Sequence, residues 1–225
     1  MNVGVENFAS TKYQVIYADP PWQYRDKASS GRRGVAYKYR TMSIEEIQSL
    51  PVYRIADDNC ALFLWVTAPL MDVGIETLKR WGFAYKTVAF TWIKTTKRDK
   101  LHWGMGNWTR ANPEYVLLGI RGRMMRVSAG VHSVVMAPIG RHSEKPAEVR
   151  ERIVQLFGDV PRVELFARER VDGWEAIGDE IDGRDIRDVL GGRETEGWLH
   201  GQTIRHTNLP VASCNQAVAG EGRRR

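Results

Sequence analysis

The sequence has little that would mark a disulfide-rich secreted protein or a membrane protein. It contains two cysteines among 225 residues, Cys60 in an apolar run and Cys214 in a polar stretch, which give neither a disulfide framework nor metal-ligand spacing. No run approaches the roughly 18 consecutive apolar residues that cross a membrane. The opening MNVGVENFAS lacks the basic start and apolar stretch of a signal peptide. We therefore expect a soluble cytoplasmic protein without a structural metal.

The sequence also lacks the common signatures of hydrolases. The segment GMG at 104–106 follows no clear strand-to-helix turn, so a phosphate-binding loop and nucleotide hydrolysis are disfavoured. No arrangement of Ser, His and Cys indicates a nucleophile with its base. His142, near Lys145, is better interpreted as part of the loop that precedes a helix. The chemistry has to be sought in other residues.

Positive charge is present in excess and is concentrated in two segments. The net charge is +6, yet residues 94–126 hold eight Lys or Arg against two acids, and residues 23–40 hold six against one. The same segments contain aromatic residues, among them Trp103, Trp108 and Tyr39. Cations mixed with aromatic rings suit a polyanion with stackable bases, which indicates a nucleic-acid partner. A solvated basic surface would have the same composition.

Strand patterns alternate with helix patterns along most of the chain. Apolar runs of strand length are separated by amphipathic segments, several of which begin at Ser or Pro and end at Gly. Ser43 and Glu46 have the spacing of a capping box. The predicted strands are 13–18, 60–67, 84–94, 113–121, 132–137, 162–167 and 173–178, and the predicted helices are 43–50, 69–82 and 145–158.

This alternation predicts the fold class. It is typical of an α/β protein with a mostly parallel sheet and helices on both faces, in which ligands gather at the carboxyl ends of the strands. We expect a single domain over residues 1–183. Because periodicity is lost afterwards, residues 184–225 are predicted to form an irregular or disordered tail.

The first predicted strand ends in an unusual stretch, YADPPW at 17–22. Two consecutive prolines fix φ and remove two backbone donors, which leaves the Asp19 carboxylate and the Pro20 carbonyl as acceptors in a stiff corner. An exocyclic amine such as N6 of adenine has two hydrogens to donate to them, and Trp22 would lie against the base. A simple turn is the competing interpretation, but strand, acid, prolines and Trp22 together favour an amine-binding corner.

Asp-Pro-Pro-Trp resembles the catalytic motif of amino-group methyltransferases. Its surroundings resemble the MT-A70 family, named after the methylating subunit of the messenger-RNA N6-adenosine methyltransferase, which has bacterial and phage members. The matching blocks are YRTMSIEEIQSLP, ALFLWVT, TWIKT, HSEKPAEV, VELFAR and GWEAIGDEIDG. The resemblance implies a Rossmann-like fold that uses S-adenosylmethionine, with a permuted motif order in which the cofactor-binding strands follow the catalytic strand. The implied catalytic residues are Asp19, Pro20, Pro21 and Trp22.

The later blocks suit a cofactor site. The helix that begins near Lys145 presents free amides and the positive end of its dipole, where the carboxylate of the methionine part could bind with help from the Lys145 ammonium. The resemblance assigns Glu164 and Arg168 to the same pocket and suggests Arg170 as a further contact. An ordinary exposed helix start and a plain ion pair at the strand end are the alternatives.

Asp179 and Glu180 follow the last predicted strand. Acids at that location commonly accept hydrogen bonds from ribose hydroxyls, so both are candidate cofactor ligands. The family more often has Asn followed by Gln or Glu there. Asp179 can accept from a hydroxyl but cannot donate, so its role departs from that of the family's Asn.

The substrate side of the site is also suggested by the resemblance. Tyr39, Trp65 and Trp92 match family positions that line the pocket for the acceptor base, although each could equally be a core residue. If the target lies in a duplex, its base must be flipped out, and the basic loops 23–40 and 95–112 would then grip the backbone.

The expected mechanism is direct transfer of the methyl group to the amine. Asp19 and the Pro20 carbonyl orient the nitrogen, which loses its proton afterwards, and positioning and electrostatics supply the acceleration. Asn112, Pro113 and Glu114 lie where the family closes its pocket, and we assign them no chemical step.

Three functions are compatible with these residues. The first is an adenine N6-methyltransferase of nucleic acid, with DNA preferred to RNA by analogy with compact prokaryotic and phage members, and with RNA as the alternative. The second is a silent nucleic-acid-binding subunit, but such partners lose the acidic motif. The third is methylation of cytosine N4, whose enzymes usually begin the motif with Ser. A homodimer is one conceivable assembly.

Overall fold

The computed structural model describes residues 11–23, 42–106, 108–140 and 144–191, which form one seven-stranded sheet with helices packed against it. The strands are β1 (Tyr13–Ala18), β2 (Ala56–Thr67), β3 (Ala84–Thr95), β4 (Glu114–Arg121), β5 (Val134–Pro138), β6 (Arg162–Leu165) and β7 (Glu175–Ile177). The helices are α1 (Ile44–Ser49), α2 (Met71–Arg80), α3 (Ala147–Phe157), α4 (Asp179–Asp182) and α5 (Ile186–Gly191).

The sheet has the strand order β5-β3-β4-β2-β1-β6-β7. Strand β1 lies near its centre and pairs in parallel with β2 and β6, and β6 pairs in parallel with β7. Strand β4 runs antiparallel to its neighbours β2 and β3. The prediction of a mostly parallel, Rossmann-like sheet is confirmed. The carboxyl ends of β1, β6 and β7 therefore meet at one edge, where ligands are expected.

Apolar residues cover both faces of the sheet, because successive side chains of a strand point to opposite sides. On one face, Ile16 and Leu62 pack with residues of α1, α2 and α5. On the other, here named the α3 face, Tyr17 and Phe63 pack with residues of α3. Helices on both faces are thus confirmed, and Asp19, two residues after Tyr17, follows a strand that is buried on both sides.

Local signals in the sequence fix several helix ends. The Ser43 side chain accepts from the Glu46 amide and the Glu46 carboxylate accepts from the Ser43 amide, so the predicted capping box is confirmed. Pro146 is the N-cap of α3, and Gly158 ends that helix with φ 81°, in the left-handed region that favours glycine.

The structure adds details that the pattern did not contain. Strand β2 begins at Ala56, four residues before its apolar run, because Ala56 pairs with Tyr13. Helix α5 follows the boundary drawn at residue 183, and its Ile186 and Leu190 join the core. That domain boundary stays a prediction, and residues 192–225 lie outside the described part of the chain. No helix in the described ranges is long and apolar enough to span a membrane.

Candidate active site

Asp19 stands at the carboxyl end of β1, on the α3 face of the sheet. Its carboxylate oxygen Oδ2 lies 2.7 Å from the ammonium of Lys145, which belongs to the segment directly before α3. The two residues are 126 positions apart in sequence. The sheet and α3 thus bring together the predicted catalytic acid and the predicted cofactor-binding lysine.

Four side chains of alternating charge line this part of the edge: Lys94, Glu114, Lys145 and Asp19, here named the charge row. Glu114 Oε1 lies 2.6 Å from the Lys94 ammonium, and Glu114 Oε2 lies 3.5 Å from the Lys145 ammonium. The side chains of Lys145 and Glu114 are only 11% and 18% exposed. Such burial is tolerated because each charge has an opposite neighbour.

The pKa values of the charge row reflect burial and pairing together. Burial raises the pKa of Asp19 above its ordinary value, although Lys145 acts in the opposite direction. Burial also acts to raise the pKa of Glu114, but Lys145 and Lys94 outweigh it and the pKa falls. Burial acts to lower the pKa of Lys145, whereas Asp19 and Glu114 raise it more strongly. Glu114 is therefore the more firmly ionised of the two carboxylates.

The Asp-Pro-Pro-Trp corner is held by backbone hydrogen bonds. The Trp22 amide donates to the Pro20 carbonyl at 2.8 Å, and the Met42 amide donates to the Pro21 carbonyl at 3.1 Å. The Pro20 carbonyl is thus already an acceptor, with a second lone pair left for a ligand. The Trp22 indole is only 6% exposed, and its Nε1 donates to the Trp65 carbonyl. The contacts of Trp22 are those of a core residue that supports the corner.

The predicted base-pocket residues that the structure describes are also buried. Trp65 donates from Nε1 to the Tyr17 hydroxyl at 2.6 Å, and its ring lies 5.3 Å from the Lys145 ammonium. Trp92 donates from Nε1 to the Ala137 carbonyl and packs edge-on against Trp65. These two rings form a wall beneath the charge row. Tyr39, the third predicted member, lies outside the described residues.

Glu164 has a partner that the sequence analysis missed, Arg150 of α3. The guanidinium of Arg150 binds both carboxylate oxygens of Glu164, at 2.7 and 3.0 Å, and lies over the Tyr17 ring. Burial raises the pKa of Glu164 although Arg150 opposes the shift. The sequence held one sign of this pairing, because Arg150 lies beside Val149, which belongs to the buried apolar stripe of α3. A charged side chain next to such a stripe needs an oppositely charged partner.

A cleft of about 320 Å³ opens on the other side of Asp19. Its lining includes Asp19, Pro21, Arg168, Asp179 and Glu180. Five predicted site residues from three separate segments are therefore brought together, as the converging ends of β1, β6 and β7 require. The lining does not include Arg170, which is exposed, nor Lys145 or Glu164, which adjoin Asp19 and α3 instead.

The loop after β6 has the close packing that shapes this cleft. A side chain at Gly178 would meet the Ala167 carbonyl oxygen at 2.2 Å, so only glycine permits the two loops to approach. Phe166 adopts φ 61°, a conformation that is unusual for an aromatic residue and is found at functional sites. Sequence reasoning missed both features. Arg168 follows directly and lies 3.5 Å from Glu180.

The residues around the cleft fit S-adenosylmethionine. Asp179 and Glu180 offer acceptors for ribose hydroxyls, and Arg168 offers a cation for a carboxylate. Lys145 is not in the cleft lining and reaches this region only through its ion pair with Asp19. The volume lies within the usual range for small-molecule sites. Within the described ranges, no three His, Cys, Asp or Glu side chains cluster as metal ligands.

Comparison with known proteins identifies the family of the chain. The sequence profile of the MT-A70 family matches residues 13–180. The chain is 37% identical over 188 residues to the type II methyltransferase M.MunI of Mycoplasma sp, covering 76% of this chain and 78% of that protein. It is 30% identical to an N(6)-adenosine-methyltransferase MT-A70-like protein of Drosophila melanogaster and 29% identical to the catalytic subunit METTL3 of Homo sapiens. Of those two longer proteins it spans 27% and 30%.

Proposed function

Because this chain belongs to the MT-A70 family and is a methyltransferase, we propose that it transfers a methyl group from S-adenosylmethionine to N6 of adenine in DNA. The observation that carries the proposal is the position of Asp19. Its carboxylate lies between the Lys145 ammonium and a cleft whose residues suit the cofactor. The target amine and the methyl group of the cofactor would thus meet at the carboxyl end of β1. The two prolines there have no backbone N–H to donate.

Asp19 and the Pro20 carbonyl orient the target amine. The ionised carboxylate accepts one N6 hydrogen and the remaining lone pair of the Pro20 carbonyl accepts the other. These two bonds hold the nitrogen so that its lone pair points away from the ring system, toward the electrophile. The corner is rigid before the base arrives, so little reorganisation is needed in the transition state. Transfer leaves the methylated nitrogen positively charged, and it then loses one proton to solvent.

The cofactor residues act by binding and orientation. Lys145 and Arg168 hold the carboxylate, and Asp179 and Glu180 accept from the ribose hydroxyls, with Arg170 as an outer contact. S-adenosylmethionine, when bound, supplies an electrophilic methyl group on a sulfonium. Glu164, whose carboxylate is bound by the Arg150 guanidinium, is the remaining proposed cofactor residue.

The nucleic acid is proposed to lie across the basic loop 95–112. Lys97, Arg98 and Lys100 are exposed there, together with Trp103 and Trp108. Cations and exposed aromatic rings suit a backbone around a flipped base. The other basic segment, 23–40, lies almost wholly outside the described residues. A cytoplasmic location and a homodimer remain predictions.

DNA is preferred to RNA because the similarity to the type II methyltransferase M.MunI covers about three quarters of this chain and of that protein. The N(6)-adenosine-methyltransferases named above are much longer than the shared segment. Their similarity makes RNA the second candidate. A silent binding subunit is disfavoured because Asp19, Lys145 and Glu164 are all present.

Product analysis tests the proposal directly. The protein is incubated with methyl-labelled S-adenosylmethionine and either unmethylated mixed-sequence DNA or RNA, and each product is digested to nucleosides. We expect the label in N6-methyldeoxyadenosine from DNA. Label in N6-methyladenosine alone would show that RNA is the substrate. Label in N4-methyldeoxycytidine would show that cytosine is the target base. Absence of label from every nucleoside would refute the proposed methyltransferase activity.

A further inference from the structure

The charge row contains a conflict that the proposed function has to resolve. Asp19 must accept a hydrogen from the target amine, yet its Oδ2 already binds the Lys145 ammonium at 2.7 Å. The carboxylate has further lone pairs for the amine, but close pairing with an ammonium reduces the negative charge on both of its oxygens and so weakens them as acceptors. Something has to limit the hold of Lys145 on Asp19.

Glu114 is placed to do so. It lies on β4, two strands from β1 in the sheet, and its Oε2 is 3.5 Å from the Lys145 ammonium. Lys145 is thus close to two carboxylates at once, and each weakens the pull of the other. No chemical step was assigned to Glu114 on the basis of sequence.

Lys94 keeps Glu114 in this position. Its ammonium lies 2.6 Å from Glu114 Oε1, the oxygen that does not face Lys145. The Lys94 backbone is itself fixed, because its amide donates to Asn112 Oδ1 and its carbonyl accepts from Asn112 Nδ2. One carboxylate oxygen is therefore anchored and the other is left for Lys145.

We propose that Glu114 is a positioning residue for methyl transfer, which draws Lys145 partly away from Asp19 and so leaves the Asp19 carboxylate accessible to the target amine. The inference rests on the proposed function for its catalytic meaning, but the balance among the four charges exists without substrate. Lys94 sets that balance from the far end of the row. Removing Glu114 and removing Lys94 should therefore act in opposite directions.

The ionisation of Asp19 reports this balance without any turnover. Among the described residues, the ionisable groups that interact electrostatically with Asp19 include Lys145, Glu114, Arg168, Glu164 and Tyr17. Replacing Glu114 removes a nearby negative charge and strengthens the ion pair between Lys145 and Asp19, and both changes lower the Asp19 pKa. Replacing Lys94 removes a positive charge and frees Glu114 to attract Lys145, and both changes raise it.

The measurement is a carbon-13 NMR titration of aspartate carboxyls in the full chain, with the Asp19 signal identified by its loss in Asp19→Asn. We expect the midpoint to fall by about one pH unit in Glu114→Gln and to rise in Lys94→Met. The control Glu76→Gln removes a carboxylate of the same charge from an exposed pair with Arg80 on α2, and should leave the midpoint unchanged. Unchanged midpoints, or shifts of one sign in both variants, would overturn the proposal.

Kinetics then link the balance to catalysis. In Glu114→Gln the KM for mixed-sequence DNA should rise about tenfold, as expected when a hydrogen bond to a charged group is weakened. The acid limb of the pH profile of kcat/KM should move to lower pH, because the Asp19 pKa falls. A variant that only damaged the folded structure would lose activity without moving this limb. An unchanged KM and acid limb in an active Glu114→Gln protein would refute the positioning role. Inactive wild-type protein would refute the proposed function, while the NMR result would still decide the charge balance.

Discussion

The two sides of Asp19 differ in how their charges are satisfied. Toward α3, Lys145 and Arg150 are almost buried and form close ion pairs within the protein. Toward the cleft, Arg168 and Glu180 are 37% and 53% exposed and lie 3.5 Å apart. The closed side is thus organised by the fold itself, whereas the open side keeps charges in contact with solvent and available to a ligand. Substitution of Arg150 on the closed side should therefore cost stability, and substitutions on the open side should cost cofactor binding.

The largest effect on this contrast is expected from Arg150→Met. It leaves the Glu164 carboxylate buried without its bidentate partner, which should lower the free energy of unfolding by about 3–5 kcal/mol. Urea denaturation measures the loss, and adding Glu164→Gln should restore part of it. The matched control, Arg80→Met, breaks an exposed pair and should cost less than about 1 kcal/mol. Equal losses of unfolding free energy in Arg150→Met and Arg80→Met would show that the buried ion pair contributes no more to stability than the exposed one.

A smaller change, in binding rather than stability, is expected on the open side. Arg168→Ala and Asp179→Ala each remove a polar group from the cleft lining, and each should weaken the binding of S-adenosylhomocysteine about tenfold. Calorimetry measures the affinity. Unfolding free energy should change by less than about 0.5 kcal/mol in both variants. Normal binding of S-adenosylhomocysteine, or a loss of stability as large as that of Arg150→Met, would contradict the difference between the two sides of Asp19.

The smallest effect is expected on the exposed loop 95–112. Lys97→Ala and Arg98→Ala should each weaken DNA binding at low salt and reduce the slope of log affinity against log salt by about 1, one phosphate contact each. Fluorescence anisotropy over a salt series measures the slope. Lys79→Ala, an exposed cation in the last turn of α2, is the control and should leave the slope unchanged. Identical slopes in all three variants would remove this loop from the DNA interface.

Much of the framework could be predicted because it depends on local chemistry. The apolar run ending at Ala18 predicts β1, and proline and glycine at positions 146 and 158 mark the ends of α3. The direction of β4 was not predicted, although a signal existed. No helix pattern separates the strands at 84–94 and 113–121, and strands joined without a crossover helix commonly run antiparallel.

The partners of the charged residues could not be read from the sequence in the same way. The ion pair of Lys145 with Asp19 joins residues 126 positions apart. Its geometry depends on sheet order and on the packing of α3, neither of which is encoded locally. The predicted helix start indicated that Lys145 belongs near a cofactor, and the resemblance indicated the same for Glu164 and Arg168. Neither indicated that Arg150 would bind both oxygens of Glu164.

Asp19→Ala tests the central claim most directly, with transfer and cofactor binding measured on the same folded protein. The account predicts that methyl incorporation into DNA is abolished, because the target amine loses its carboxylate acceptor. Calorimetric binding of S-adenosylhomocysteine should remain largely intact, since Lys145, Arg168 and Asp179 are unchanged. Near-normal methylation by a folded Asp19→Ala protein would contradict the assignment of Asp19 as the residue that receives the amine.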